Sequence, residues 1–260
     1  MNRKFLALAP ILAASSIIKQ NKKLKVTKTT LDFNNLPDSF DNFKIAQVSD
    51  IHCDKVGLSD LTFLSKIKKF SPDIIVITGD ILDSYKNDMD VAYNILSQLS
   101  VIAPCYFISG NHELRLPKEY AELKVMLSKL KITHLHNESI LLNRNQDFIN
   151  LVGVEDYNFF KNEDNLNHRA NFKKTLDNLY SSEYFNILLS HRPEKFPIYA
   201  EAKYDLIFSG HAHGGQWRIP FIGGIFSPSQ GFFPEYTSGC YTKDSSILIV
   251  SRGLGNSSFP

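Results

Sequence analysis

Short apolar runs recur along the chain, and each stops abruptly at polar and glycine residues. Residues 44–48 (KIAQV) run into Ser49-Asp50-Ile51-His52, and residues 73–78 (DIIVIT) into Gly79-Asp80. Residues 106–109 run into Gly110-Asn111-His112-Glu113, residues 185–190 into His191, and residues 205–209 into Gly210-His211-Ala212-His213. Further runs lie at 148–154 and 247–251. The early runs are β-branched and apolar throughout, which predicts strands buried on both faces. Helical spacing follows several of them. Leu61, Leu64 and Ile67 repeat behind Ser59 as an N-cap, then Val91, Ile95 and Leu99, and Pro117 opens a helix reaching about Lys131. Strands alternating with helices predict an α/β domain.

The polar clusters share one location, just past the C-terminal end of a strand, where open α/β sheets gather ligand sites. They supply Asp50, His52, Asp80, Asn111, His112, His191, His211 and His213. Carboxylate oxygen, amide oxygen and imidazole nitrogen suit hard or borderline divalent ions such as Mn, Fe, Zn or Mg. No cysteine stands in a ligating motif. Asp-x-His and His-x-His spacing suits extended or loop backbone, where alternate side chains share a face. Gly79, Gly110 and Gly210 each precede a proposed ligand and are expected to allow a sharp turn there.

Composition narrows the picture. With 260 residues, 43% hydrophobic and 22% charged, the chain is an ordinary globular protein. A formal charge of +2 argues against a broad nucleic-acid face, and no nucleic-acid partner is expected. Cys53, Cys105 and Cys240 are far apart and form no disulfide framework. The N-terminus is different: Asn2-Arg3-Lys4 precedes an uncharged apolar run from 5 to 18, and Lys19, Lys22, Lys23 and Lys25 follow. Residues 1–25 therefore read as a signal peptide or membrane anchor, and the protein as exported or membrane-associated.

The ordered blocks D50-I-H52, G79-D80, G110-N-H-E113, H191 and G210-H-A-H213 resemble the calcineurin-like metallophosphoesterases over about residues 44 to 255. The resemblance implies one domain over residues 40–260, a four-layer α/β/β/α sandwich carrying a dinuclear site. Asp50, His52 and His213 would bind one divalent ion, Asn111, His191 and His211 the other, and Asp80 would bridge them. His112 would protonate the leaving oxygen, with Glu113 orienting it. Residues 211–216 (HAHGGQ), Pro220, Gly223 and 251–255 (SRGLG) look like a membrane-associated branch of that family. That branch includes phosphodiesterases related to enzymes cleaving UDP-2,3-diacylglucosamine. It usually continues into another strand where this sequence ends in Ser257-Ser258-Phe259-Pro260. A phosphorylated small-molecule or lipid-linked substrate and a membrane surface are the partners implied. A broad phosphoesterase acting on small soluble or cell-wall phosphates is the alternative enzyme. A non-catalytic protein-binding scaffold is the alternative class, which loss of ligands would mark.

Other residues are more ordinary. His134, His136 and His168 read as surface residues, and Cys53 as a small residue packed behind the site. Arg192 reads either as a substrate-phosphate contact or as a surface ion pair. Residues 219–236 read either as a loop tucked onto the core or as an apolar lip for acyl chains.

Overall fold

Four parallel strands and the helices between them make up the first half of the chain. In order these are β1 (Ile45–Val48), α1 (Asp60–Phe70), β2 (Ile74–Thr78), α2 (Met89–Ser100), β3 (Cys105–Ile108), a short α3 (Asn111–Arg115), α4 (Pro117–Lys129) and β4 (Thr133–His134). The second half begins with β5 (Glu138–Arg144), β6 (Asp147–Gly153), α5 (His168–Leu179), β7 (Phe185–Leu189), α6 (Phe196–Glu201) and β8 (Leu206–Ser209). It continues through β9 (Trp217–Ile219), β10 (Gly223–Ser227), β11 (Gly231–Phe232), β12 (Gly239–Lys243) and β13 (Ser246–Val250). The structure is a computed structural model and describes residues 24, 26–53, 60–85, 88–161, 167–219 and 223–255.

The first sheet has the order β1-β2-β3-β4, parallel throughout. The second has the order β12-β13-β8-β7-β6-β5, with a parallel centre and antiparallel edge strands. Alternation along β2 explains how the layers stack, because side chains two apart share a face. Ile75 and Ile77 join Val48 and Phe107 against Leu64 of α1, Ile95 and Leu99 of α2, and Leu123 and Leu127 of α4. Ile74 and Val76 point the other way, onto Leu151, Ile187, Leu189 and Phe208 of the second sheet. The far face of that sheet, through Val152, Leu188, Ile207 and Leu248, packs on Phe172 and Leu176 of α5 and Phe196 and Tyr199 of α6. Helices, sheet, sheet, helices: this is the expected four-layer α/β/β/α sandwich.

Element boundaries differ slightly from the sequence expectation. The Pro117 helix ends at Lys129 because Lys131 turns to a left-handed φ of 56°, its N–H and that of Ile132 closing back on Ser128 and Leu127. Ser59 lies outside the described residues, as do 1–23, 25 and 256–260, so the N-cap, the expected leader and the chain end are not described. Among the described residues no helix is long and apolar enough to cross a membrane.

All parallel strands of one sheet end on the same edge, and backbone bonds splice those ends together. Asp50 N–H donates to the Gly79 carbonyl at 3.0 Å, His52 N–H to Asp80 at 3.0 Å, and Gly255 N–H to Asp50 at 2.7 Å. Distant sequence blocks thereby meet.

Candidate metal centre

The Asp-x-His and His-x-His pairs are not strand backbone. Asp50, His52, Asp80, His211 and His213 all have left-handed φ between 49° and 64°. Such conformations are costly for residues with a Cβ and persist where surrounding structure enforces them. Here the enforcement is visible. The Asp50 carboxylate accepts from the His211 N–H at 3.0 and 3.2 Å, joining the two sheets, and the Asp80 carboxylate accepts from the His112 N–H at 2.9 Å.

The expected reason for the glycines holds at one position and changes at the others. Gly79 has φ +89°, which a side chain rarely adopts. Gly110 has φ −107°, so the turn does not demand glycine. Close approach does: a Cβ there would lie 2.2 Å from Asp80 Oδ1. A Cβ on Gly210 would lie 2.4 Å from Asp50 Oδ2.

Two sets of ligand-type atoms result. Asp50, His52 and His213 each offer an atom within 4.8 Å of the others, as do Asp80, His191 and His211. His213 Nε2 lies 3.1 Å from His52 Nε2 and 3.4 Å from Asp50 Oδ1. Asp80 Oδ2 lies 3.1 Å from His191 Nε2 and 4.0 Å from His52 Nε2, between the two sets. Asn111 opens α3 directly after Gly110, and its Oδ1 is buried without a hydrogen-bond partner. His52 Nδ1 and His191 Nε2 are also buried without one, the latter despite its closeness to Asp80.

Orphaned buried acceptors such as Asn111 Oδ1 and His191 Nε2 carry a free-energy penalty that a cation removes. The donor set fits divalent metals on that ground. His191 Nδ1 lies 2.7 Å from the Thr78 carbonyl, an acceptor only, so Nδ1 carries the proton and the Nε2 lone pair faces Asp80. Burial opposes charge on His191, but the Asp80 carboxylate raises it to about 10, so Nε2 takes either a proton or a cation. Burial pushes the Asp80 carboxyl up, yet His191, His52 and His112 outweigh it and hold it well below the usual carboxylate range. Burial drives His211 and His213 down, leaving the neutral imidazoles that coordination requires.

His112 stands apart. A ring nitrogen lies within 4.8 Å of His52 and Asp80 atoms, and its ring meets that of His52 edge-on at 4.7 Å. Its Nδ1 accepts from the Ser84 N–H at 3.0 Å, so the neutral ring carries its proton on Nε2. Glu113 does not orient that imidazole. Its carboxylate accepts three backbone N–H groups, from Asp80 and Leu82 at 2.9 Å and from Gly110 at 2.7 Å, which clamps the β2 and β3 turns together. Burial and Asp80 push Glu113 up to about 7 against the pull of these donors.

Arg192 is an internal ion pair rather than a surface one. It grips Asp156 at 2.7 and 3.2 Å and reaches Ser229 Oγ at 2.7 Å, beside His211 Nε2 at 3.4 Å. Cys53 is buried, donates to the Ile81 carbonyl and has its thiol pushed up to about 11 by burial, which makes it a packing residue. His168 opens α5 and stacks on Tyr157, with centroids 3.8 Å apart. His134 and His136 converge on buried Glu155. Sequence reasoning missed Glu155 and Asp156. They follow the end of β6, so the rule that flagged the other strand tips would have found them.

The Calcineurin-like phosphoesterase family matches residues 43–215. Metallophosphoesterase YkuE of Bacillus subtilis (strain 168) is 31% identical over 242 residues, 91% of this chain and 80% of that protein. UDP-2,3-diacylglucosamine pyrophosphatase LpxG of Chlamydia muridarum (strain MoPn / Nigg) is 28% identical over 292 residues, 89% of this chain and 84% of that one. A transmembrane protein with metallophosphoesterase domain from Bos taurus is 28% identical over 252 residues, 88% of this chain but 55% of its own length. Phosphopantetheinyl hydrolase from Mycobacterium tuberculosis shares the fold, with a TM-score of 0.51 and 12% identity over 81% of this chain and 90% of that one. The chain belongs to the calcineurin-like phosphoesterases and is a metal-dependent phosphoester hydrolase.

Proposed function

We infer that the chain hydrolyses phosphodiester or pyrophosphate bonds with two divalent ions, on a lipid-linked nucleotide sugar such as UDP-2,3-diacylglucosamine. The observation that carries the dinuclear reading is Asp80, whose Oδ2 lies between the two ligand sets. Asp50, His52 and His213 would hold one ion and Asn111, His191 and His211 the other, with the Asp80 carboxylate shared between them. Divalent ions of the Mn, Fe, Zn or Mg class held there would supply a nucleophile from water at neutral pH and offset charge on phosphoryl oxygens. The Asp50 carboxylate holds the His211 turn so that both sets keep their spacing. His112 carries its Nε2 proton to the departing oxygen, while the Ser84 N–H keeps the ring in that tautomer. Arg192, locked by Asp156, presents a fixed positive charge beside His211.

Two observations favour the lipid-linked substrate over small soluble phosphates: the LpxG relative and the segment after β10. Phe232 and Phe233 are 69% and 77% exposed. An open cleft of about 320 Å³ is lined by Phe233, Pro234, Tyr236 and Ser229. Ser229 Oγ in turn touches His211 Nε2 at 3.0 Å, so the cleft adjoins the metal centre. The basic and apolar run at 1–18 favours a membrane location.

The full chain is tested with Mn2+, Mg2+, Zn2+ and Fe2+ on a simple diester, a monoester, a nucleotide sugar and UDP-2,3-diacylglucosamine. The diacylated substrate is expected to give the highest kcat/KM; preference for the monoester overturns the substrate assignment. Changing both Phe232 and Phe233 to Ser removes part of an apolar contact worth about 1.5–3 kcal/mol per buried aromatic. The kcat/KM ratio of the diacylated substrate to the simple diester is then expected to fall about tenfold, and an unchanged ratio rules the lip out of substrate recognition.

A further inference from the structure

A second cluster of ligand-type side chains lies outside the centre already described. His134 in β4, His136 in the turn after it, and Glu155 after β6 each offer an atom within 4.8 Å of the other two. Glu155 is fully buried, whereas His136 is 46% exposed, so the cluster opens to solvent on one side. Phe107 packs beside the His134 ring, and Phe159 meets the His136 ring edge-on.

The hydrogen bonding of Glu155 is crowded in a specific way. Its Oε2 takes the Ser109 hydroxyl. Its Oε1 takes the Tyr120 hydroxyl at 2.8 Å, and His136 Nδ1 and His134 Nε2 also converge on it at 2.5 and 3.3 Å. A carboxylate oxygen has about two lone-pair sites, which the Tyr120 O–H and His136 serve. His134 Nε2 lies 3.1 Å from the Tyr120 hydroxyl as well. Both imidazole nitrogens and the carboxylate oxygen thus stand within reach of one ion. Burial pushes the Glu155 carboxyl up, but its bonds to His134, Ser109, His136 and Tyr120 hold it at about 2, in the ionised form that coordination needs.

We propose that His134 Nε2, His136 Nδ1 and Glu155 Oε1 bind a single divalent cation of the zinc type, independent of the catalytic pair. Two imidazoles and one carboxylate with a fourth position open is a set zinc takes in tetrahedral geometry, at about 2.0–2.2 Å per bond. Ligand atoms around such an ion stand on the order of 3.3 Å apart. The His134–Glu155 spacing already meets this, and exposed His136 has room to withdraw by the remaining fraction of an ångström. The ion has a structural consequence. It ties β4 to the end of β6, reaches the turn before Asn111 through Ser109, and adjoins Asp156, the partner of Arg192.

The test compares the full-length chain with a His134→Ala/His136→Ala double variant and with His136→Gln, an exposed single change that leaves the core intact. Each is stripped of metal, loaded with Zn2+ or Co2+, freed of loose ion and counted by elemental analysis. The unsubstituted chain is expected to retain one more tightly held ion than either variant, whatever number the catalytic centre holds. The Co2+ difference spectrum, unsubstituted minus His136→Gln, is expected to show the strong visible absorption of a four-coordinate ion. Equal ion counts, or a flat difference spectrum, overturn the site, and the His136→Gln arm decides the matter even if the double variant fails to fold.

Discussion

Replacing His112 with Ala is expected to lower kcat by about 10²–10⁴-fold while the metal content stays unchanged, the range a positioned proton donor supplies. Three facts about the ring set this expectation. A ring nitrogen sits within 4.8 Å of His52 and Asp80 atoms, which puts it at the edge of the centre. Its Nδ1 is occupied by the Ser84 N–H, so the movable proton lies on Nε2. Its pKa is lowered by burial and only partly restored by Asp80, so the donating imidazolium is the minor form near pH 7; it passes its Nε2 proton to a strongly basic leaving oxygen and returns to the neutral ring. The loss should therefore depend on the leaving group, being large for an alkoxide and small for a nitrophenolate that departs without protonation. Steady-state kinetics on both substrate types, with elemental analysis of the same samples, reads this directly. Full turnover on the alkoxide substrate would remove His112 from the mechanism. Loss of metal along with activity would make it a ligand instead.

Glu113→Ala is expected to be the most destabilising single change in the site. It strips the acceptor from three buried N–H groups at once, those of Asp80, Leu82 and Gly110. An unsatisfied buried donor costs roughly 1–3 kcal/mol, and partial entry of water keeps the sum below full additivity, giving about 3–6 kcal/mol. Urea unfolding of the metal-free protein measures it as a lower midpoint at similar slope. The turns carrying Asp80 and Asn111 then lose their common anchor, so metal affinity falls with stability. A change below about 1 kcal/mol would show that the clamp is redundant.

The strands that build the centre were legible because each is short, apolar on both faces and cut off by polar residues. Ile74–Thr78 and Phe185–Leu189 are buried at every position, and their sequences say so. Edge strands carried no such signal. Glu138–Arg144 is mostly exposed, and Gly239–Lys243 has no fully buried residue, so neither shows a continuous apolar run. The helix His168–Leu179 buries only Phe172 and Leu176, one turn apart, which is too sparse for periodicity to be visible. The tips of strands were legible as locations but not as conformations. Asp-x-His reads like alternating strand residues, whereas both members of each pair adopt left-handed backbone, where the Asp50 carboxylate accepts the His211 N–H from the facing sheet. His134 and His136 looked like surface residues for a related reason. Their common partner Glu155 comes from the end of another strand, and nothing local to either sequence announces the meeting.

The proposed chemistry depends on one carboxylate, that of Asp80, joining two cations. Anomalous diffraction from crystals of the full chain loaded with Mn2+ puts this to the test. Two peaks are expected, roughly 3.5–4 Å apart with Asp80 Oδ2 between them, Asp50, His52 and His213 around one and Asn111, His191 and His211 around the other. A single peak among these residues, or a pair that Asp80 does not touch, would contradict it.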